Sequence, residues 1–203
     1  MANKYYDYST PAEYVYDSDK IEVSGGLATL KEDLSNVYAH WKLNESSGTN
    51  VPDSSGNGRN GTTINSPLWV AGKLNNCLQF NGVTQYVNCG NIAGFERNQS
   101  FSLECWVNPN TTNVSELMTK ILSFAPYTGW ELGLNYPTVG TLGFALYGNS
   151  NTQRIRVGTT NQVCFSGSWN HVVITYNGSS LASGIHIYVN NIDQPLTIIN
   201  NNL

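Results

Sequence analysis

The 203-residue chain is short of charge. Only 12% of its residues are Asp, Glu, Lys or Arg, and its 10 cations against 14 acids leave a net charge of -4. Phosphate backbones are bound by clustered Lys and Arg, so this composition excludes a nucleic-acid partner. Arg154 and Arg156 are the nearest approach to a basic pair, and two cations on a strand read as a solvated face. Long apolar runs are lacking too. None approaches the roughly 20 residues of a membrane-spanning helix, so no membrane insertion is expected. The opening MANKYYDYST has no apolar leader core, which places synthesis in a cytoplasm unless a leader has been removed.

Metal and nucleophile motifs are equally scarce. Cys77, Cys89, Cys105 and Cys164 have no CxxC spacing and no histidine placed to complete a zinc site. Each sits in an apolar run, so free thiols packed as small hydrophobes are expected. His40, His171 and His186 show no His-Glu-x-x-His spacing and read as structural. Neither a Gly-x-Ser-x-Gly elbow nor a phosphate loop occurs.

What is abundant is Asn, Gly and Tyr, at 27, 19 and 12 residues, with 5 Trp. Asn and Gly tolerate the left-handed backbone of turns, while Tyr and Trp suit a pleated, half-buried surface. From about residue 37 onward, short alternating runs recur between Gly, Asn and Pro clusters. Ser100 to Asn108 puts Phe101, Leu103, Cys105 and Val107 on one face and Ser102, Glu104, Trp106 and Asn108 on the other, the period of two that marks a strand. Further strands are predicted over 77–80, 130–134, 141–147, 154–157, 171–176 and 185–189, and Asn190-Asn191 reads as a tight turn. The pattern predicts an all-β, two-sheet antiparallel sandwich. Residues 1–35 differ. They are rich in Tyr, and Gly25-Gly26 between two short alternating runs predicts a hairpin, so this stretch reads as a short extended or hairpin N-terminal arm for attachment or oligomerisation.

One loop, VPDSSGNGRNGT from Val51 to Thr62, imitates a cation site. Asp53-x-Ser55-x-Asn57-Gly58 matches the first half of an EF-hand loop, but Ile64 stands where the closing Glu belongs. The remaining readings are a turn capped by Asp53 and a structural calcium held by Asp53 and Asn57; no cofactor is required.

In succession, His40-Trp-Lys-Leu-Asn-Glu-Ser-Ser-Gly48, the Val51–Gly61 loop, Trp69-Val-Ala-Gly-Lys-Leu74 and Leu78-Gln-Phe-Asn-Gly82 resemble the laminin-G-like, concanavalin-A-like jelly-roll domains. Phe101-Ser-Leu-Glu-Cys-Trp-Val107, Trp130-Glu-Leu-Gly133, Trp169-Asn-His-Val-Val-Ile-Thr-Tyr176 and Ile187-Tyr-Val-Asn-Asn191 continue the same order. The resemblance implies a jelly roll over 36–203, with Trp41, Trp106 and Trp169 as core and framework aromatics. The family's closing Phe-x-Gly-x-Ile-Asp strand is missing after Asn191, so the closing C-terminal strands are expected to be absent, through truncation or supply by another subunit. The N-terminal arm resembles segments of bacteriophage structural proteins.

The Glu-x-Asp-x-x-Glu signature of glycoside hydrolases sharing this sandwich is absent, and Glu104 and Glu131 are lone carboxylates, so no enzyme is expected. Sugars stack on aromatic rings and bond to planar polar groups; Tyr127, Trp130, Asn135, Tyr136, Tyr147 and Asn149 are the loop-borne candidates. The resulting expectation is a non-enzymatic virion module, of fibre or decoration type, forming a homo-oligomer and recognising surface glycans or other virion proteins. The alternative is a carbohydrate-binding module of a secreted or cell-surface bacterial protein.

Overall fold

The computed structural model describes residues 21–24, 27–30, 34, 36–110, 112–121, 128–148 and 152–203, the first two stretches as backbone alone. Tyr127 and Asn149, and most of the N-terminal arm, lie outside the described residues. Two compact units are present, one holding the described residues of Met1–Lys42 together with Pro52–Asn60, the other Leu43–Val51 with Gly61–Leu203.

In the first unit, β1 (Ile21–Ser24) and β2 (Leu27–Leu30) pair antiparallel, with Ser24 opposite Leu27. That register leaves two residues for the connection, as Gly25-Gly26 predicts. Among the unit's other described residues, one carboxylate gathers several backbone N–H groups. Asp53 Oδ1 accepts the backbone N–H groups of His40 and Ser55 at 2.9 Å each, and Oδ2 accepts that of Arg59 at 2.9 Å. Trp41 bridges to Asp53 and donates its indole N–H to the Arg59 carbonyl at 2.8 Å, while Asn57 Nδ2 donates to the Val37 and Tyr38 carbonyls.

The second unit runs β3 (Asn50–Val51), β4 (Gly61–Ile64), β5 (Leu68–Ala71), β6 (Asn76–Gln79), β7 (Tyr86–Asn88), β8 (Phe101–Val107), β9 (Ser115–Ile121), β10 (Gly129–Leu134), β11 (Leu142–Tyr147), β12 (Arg154–Thr159), β13 (Asn170–Tyr176), β14 (Ile185–Val189), β15 (Ile192–Asp193) and β16 (Leu196–Asn202). All pairings are antiparallel. A five-stranded sheet, β16-β12-β11-β10-β9, faces a four-stranded one, β15-β14-β13-β8, while β3-β4-β7 and β5-β6 form smaller sheets. This is the expected all-β sandwich.

Its core follows from period-two alternation. Trp130, Leu132 and Leu134 on β10 and Val172, Ile174 and Tyr176 on β13 are buried between the two larger sheets, while the residues between them point outward. Each such side chain contributes about 1.5–3 kcal/mol through burial. Phe101 of β8 bridges the sheets, its ring centroid 6.3 Å from both Trp130 and Phe144.

Three expectations need correction. Trp106 is not a core aromatic: the parity that sends Cys105 and Val107 inward turns Trp106 outward, leaving it 46% exposed. Trp130 is not a loop residue with a free ring. It is 5% exposed, donates its indole N–H to the Ala93 carbonyl at 2.8 Å and packs beside Phe95 and Phe101, so it has no face to offer a ligand. Nor does strand structure stop at Asn191, since β15 joins β14 and β16 joins β12. Both β9 and β16 carry a bulge, at Leu117 and Ile199, which interrupts the alternation that would announce them in the sequence. The four cysteines are free, with Cys164 buried; burial pushes the Cys105 thiol up to about 12 and the Cys164 thiol up to about 11.

Candidate functional site

The outward face of the five-stranded sheet is arranged in rows across β10, β11 and β12. One row is Glu131, Ala145 and Arg156, with Asn200 of β16 next; a second is Gly133, Gly143 and Gly158; a third pairs Tyr147 with Arg154. Ala145 permits the contact that defines the site. Strands two apart lie about 9.6 Å from one another, and only a methyl group stands between Glu131 and Arg156. Arg156 Nη2 therefore reaches Glu131 Oε1 at 2.5 Å. Tyr147 donates to the same oxygen at 2.7 Å.

The glycine row does a related job. A Cβ on Gly143 would come within 3.0 Å of Tyr136 Cδ1, and one on Gly158 within 2.9 Å of Pro137 Cδ. The bare row thus lets the Tyr136-Pro137 segment lie on the sheet. Asn135 holds that segment in place: it adopts the left-handed conformation (φ 61°), is buried, accepts from the Gly140 N–H at 2.7 Å and donates to the Asn113 carbonyl at 2.7 Å. Tyr136 then meets Arg156 twice, with the guanidinium carbon 4.0 Å from its ring centroid and Nη1 donating to its hydroxyl at 3.0 Å.

Arg156 and Glu131 are mostly covered, with side-chain exposures of 19% and 15%. Burial, the hydrogen bond to Glu131 and that carboxylate's charge, in this order, push the Tyr147 hydroxyl well above the usual tyrosine range. A depression of about 20 Å³, room for about one water, opens between Val114 and Glu116 on one side and Tyr136 and Arg156 on the other. Asn200 Oδ1, in register with Arg156, is covered and has no hydrogen-bond partner among the described residues. The cluster combines guanidinium donors, a carboxylate and an aromatic ring on a rigid sheet, which is binding chemistry. Glu131 Oε1 is already engaged by two donors.

Against this geometry stands one family match. The sequence profile of Laminin_G_3, the concanavalin A-like lectin/glucanases superfamily, matches residues 81–194, more than half of the chain. The chain belongs to this family. No curated protein matches it. Among solved structures, an S-layer domain-containing protein (residues 221–444) from Clostridium thermocellum ATCC 27405 is similar at 18% identity and a TM-score of 0.48, over 81% of this chain and 73% of that one. A score at that level carries no argument about function or assembly.

Within this laminin-G-like domain, the residues singled out from the sequence separate. Tyr136 and Tyr147 come together around Glu131 and Arg156; Asn135 is a buried strut for Tyr136; Trp130 belongs to the core. Arg156, read from sequence as solvated, is the centre of the cluster. The signal that could have found it is the cross-strand register, which a single strand's alternation does not contain. At the Asp53 loop, three N–H donors already occupy the carboxylate, out of about four lone-pair sites. Partial burial pushes that carboxyl up, but the hydrogen bonds from His40, Ser55 and Arg59 prevail and hold it well below the usual carboxylate range. Among the described residues, no group of three or more His, Cys, Asp or Glu could hold a metal ion. The virion setting has no support from the family match.

Proposed function

We propose that this laminin-G-like domain is a non-catalytic carbohydrate-binding module, and that its ligand meets the Glu131–Arg156–Tyr136–Tyr147 face. The observation carrying this reading is the guanidinium of Arg156, fixed by stacking on Tyr136 and by its bridge to Glu131. An arginine has five N–H donors, and those not used within the cluster, beside the second oxygen of Glu131, suit adjacent sugar hydroxyls. Family membership supports the same class of ligand.

A glycan array followed by titration calorimetry tests the reading. Arg156→Met should weaken binding of any retained glycan by about tenfold or more, the loss of a charge-assisted hydrogen bond. Tyr136→Phe, which keeps the ring, should cost less. Equal affinity in wild type and Arg156→Met would remove this face from the site, and release of reducing sugar from any bound glycan would end the non-catalytic reading.

A further inference from the structure

The outward face of the opposite, four-stranded sheet carries one device twice. Trp106 stacks on His171 with ring centroids 4.9 Å apart and an interplanar angle of 27°, and His171 Nε2 lies 2.8 Å from Glu104 Oε1. Two strands away, Tyr188 stacks with His186 at 6.1 Å and 21°, and His186 Nδ1 lies 3.1 Å from Asp193 Oδ2. Each unit is thus an aromatic ring, a histidine against it and a carboxylate fixing the histidine. Strand parity turns all six residues away from the core, and Trp106 is 46% exposed.

Their spacing follows from register. Trp106 is opposite His171, and Tyr188 is opposite Val173, so the two rings are two strands and two residues apart. Strand separation and rise put them about 12 Å apart along a diagonal of the sheet, roughly the reach of two to three linked pyranose rings. We propose that this face is a second carbohydrate-binding surface, taking a neutral polysaccharide chain laid diagonally across β8, β13 and β14.

The chemistry specifies the ligand class. Pyranose C–H faces stack on Trp and Tyr, and hydroxyls bond to the free oxygens of Glu104 and Asp193, whose side chains are 66% and 50% exposed. Two exposed carboxylates beside the rings disfavour acidic sugars. Lys73 Nζ lies 5.2 Å from the Trp106 ring centroid; exposed cation–π contacts are weak, so a sugar ring displaces it. The surface lies on the other sheet from Arg156 and stands whether or not the Arg156 face binds. With both faces engaged, one domain bridges two polysaccharide chains.

Affinity electrophoresis in gels containing mixed-linkage β-glucan, xylan or galactomannan, with polygalacturonate as the acidic control, provides the test. Trp106→Ala and Tyr188→Ala should each raise the dissociation constant for a retarding neutral polymer about tenfold, while Trp106→Phe, which keeps a stacking ring, changes it much less. The same polymer should shield tryptophan fluorescence from acrylamide in the wild type and shield it less in Trp106→Ala. Urea midpoints confirm that each variant is folded. Retardation lost in Arg156→Met but intact in Trp106→Ala and Tyr188→Ala overturns this surface and leaves the Arg156 site standing; the converse pattern supports it alone. Preference for polygalacturonate, or no retardation by any neutral polymer, also overturns it.

Discussion

Replacing Arg156 with Met keeps the length of the side chain and removes its charge, leaving Glu131 with Tyr147 as its remaining partner in the cluster. Breaking a fully buried ion pair costs about 3–5 kcal/mol, and breaking an exposed one about 0–1. With exposures of 19% and 15%, this pair falls between, and the stacking of Arg156 on Tyr136 is lost with it, so a destabilisation of about 2 kcal/mol is expected. Glu131→Gln keeps an acceptor for Tyr147 and should cost about 1 kcal/mol. Once Glu131 is neutral it no longer needs a cation. The double variant should therefore lose about 1.5 kcal/mol rather than the sum of about 3, a coupling near 1.5 kcal/mol. Urea unfolding reads this directly, since 2 kcal/mol moves the midpoint by about 1 M at a slope near 2 kcal/mol/M. Single costs that add to within about 0.5 kcal/mol would falsify the claim that the pair acts as a unit across Ala145.

Tyr147 and Asp53 make opposite pH predictions. The Tyr147 hydroxyl is held above its ordinary value, so the unfolded chain gives up that proton first, and stability falls as pH rises past about 10; Tyr147→Phe should remove that part of the alkaline loss, read from urea midpoints between pH 8 and 11 or so. The Asp53 carboxyl is held low, so its contribution is full above the unfolded value of about 4 and fades as pH drops below it. Asp53→Asn should cost about 1–2 kcal/mol at neutral pH and flatten the acid dependence; an unchanged acid profile in that variant contradicts the capping role. Because backbone N–H groups already hold Asp53, the melting temperature should be indifferent to millimolar calcium or chelator, and a calcium-dependent rise of several degrees restores the cation reading. Gly129 has φ 120°, and a Cβ there would lie 1.7 Å from the Lys120 carbonyl oxygen; Gly129→Ala should destabilise by about 3 kcal/mol or more, seen as a fall in thermal midpoint.

Much of the architecture is readable from local pattern. Strands β8, β10, β13 and β14 alternate strictly because one side of each packs on the core, and hydrophobic parity along one strand is a property of that strand alone. The Gly25-Gly26 spacing announces the first hairpin on the same local grounds. Bulged β9 and β16 escape because an extra residue resets the parity midway.

The sites were a different matter. Glu131 and Arg156 are 25 residues apart, and nothing local to either marks the other. They meet because two registers align them on Ala145. Tyr136 joins them because Gly143 and Gly158, from neighbouring strands, fall in one row beneath it. The same holds on the opposite sheet, where Trp106, a framework residue by resemblance, is an exposed ring stacked on His171. Composition, alternation and turn chemistry therefore determined by themselves an antiparallel sandwich with little charge and many turns, because each of these acts within a few residues. Which polar groups share a face was decided only by tertiary structure, because cross-strand register depends on pairing between segments far apart in the chain.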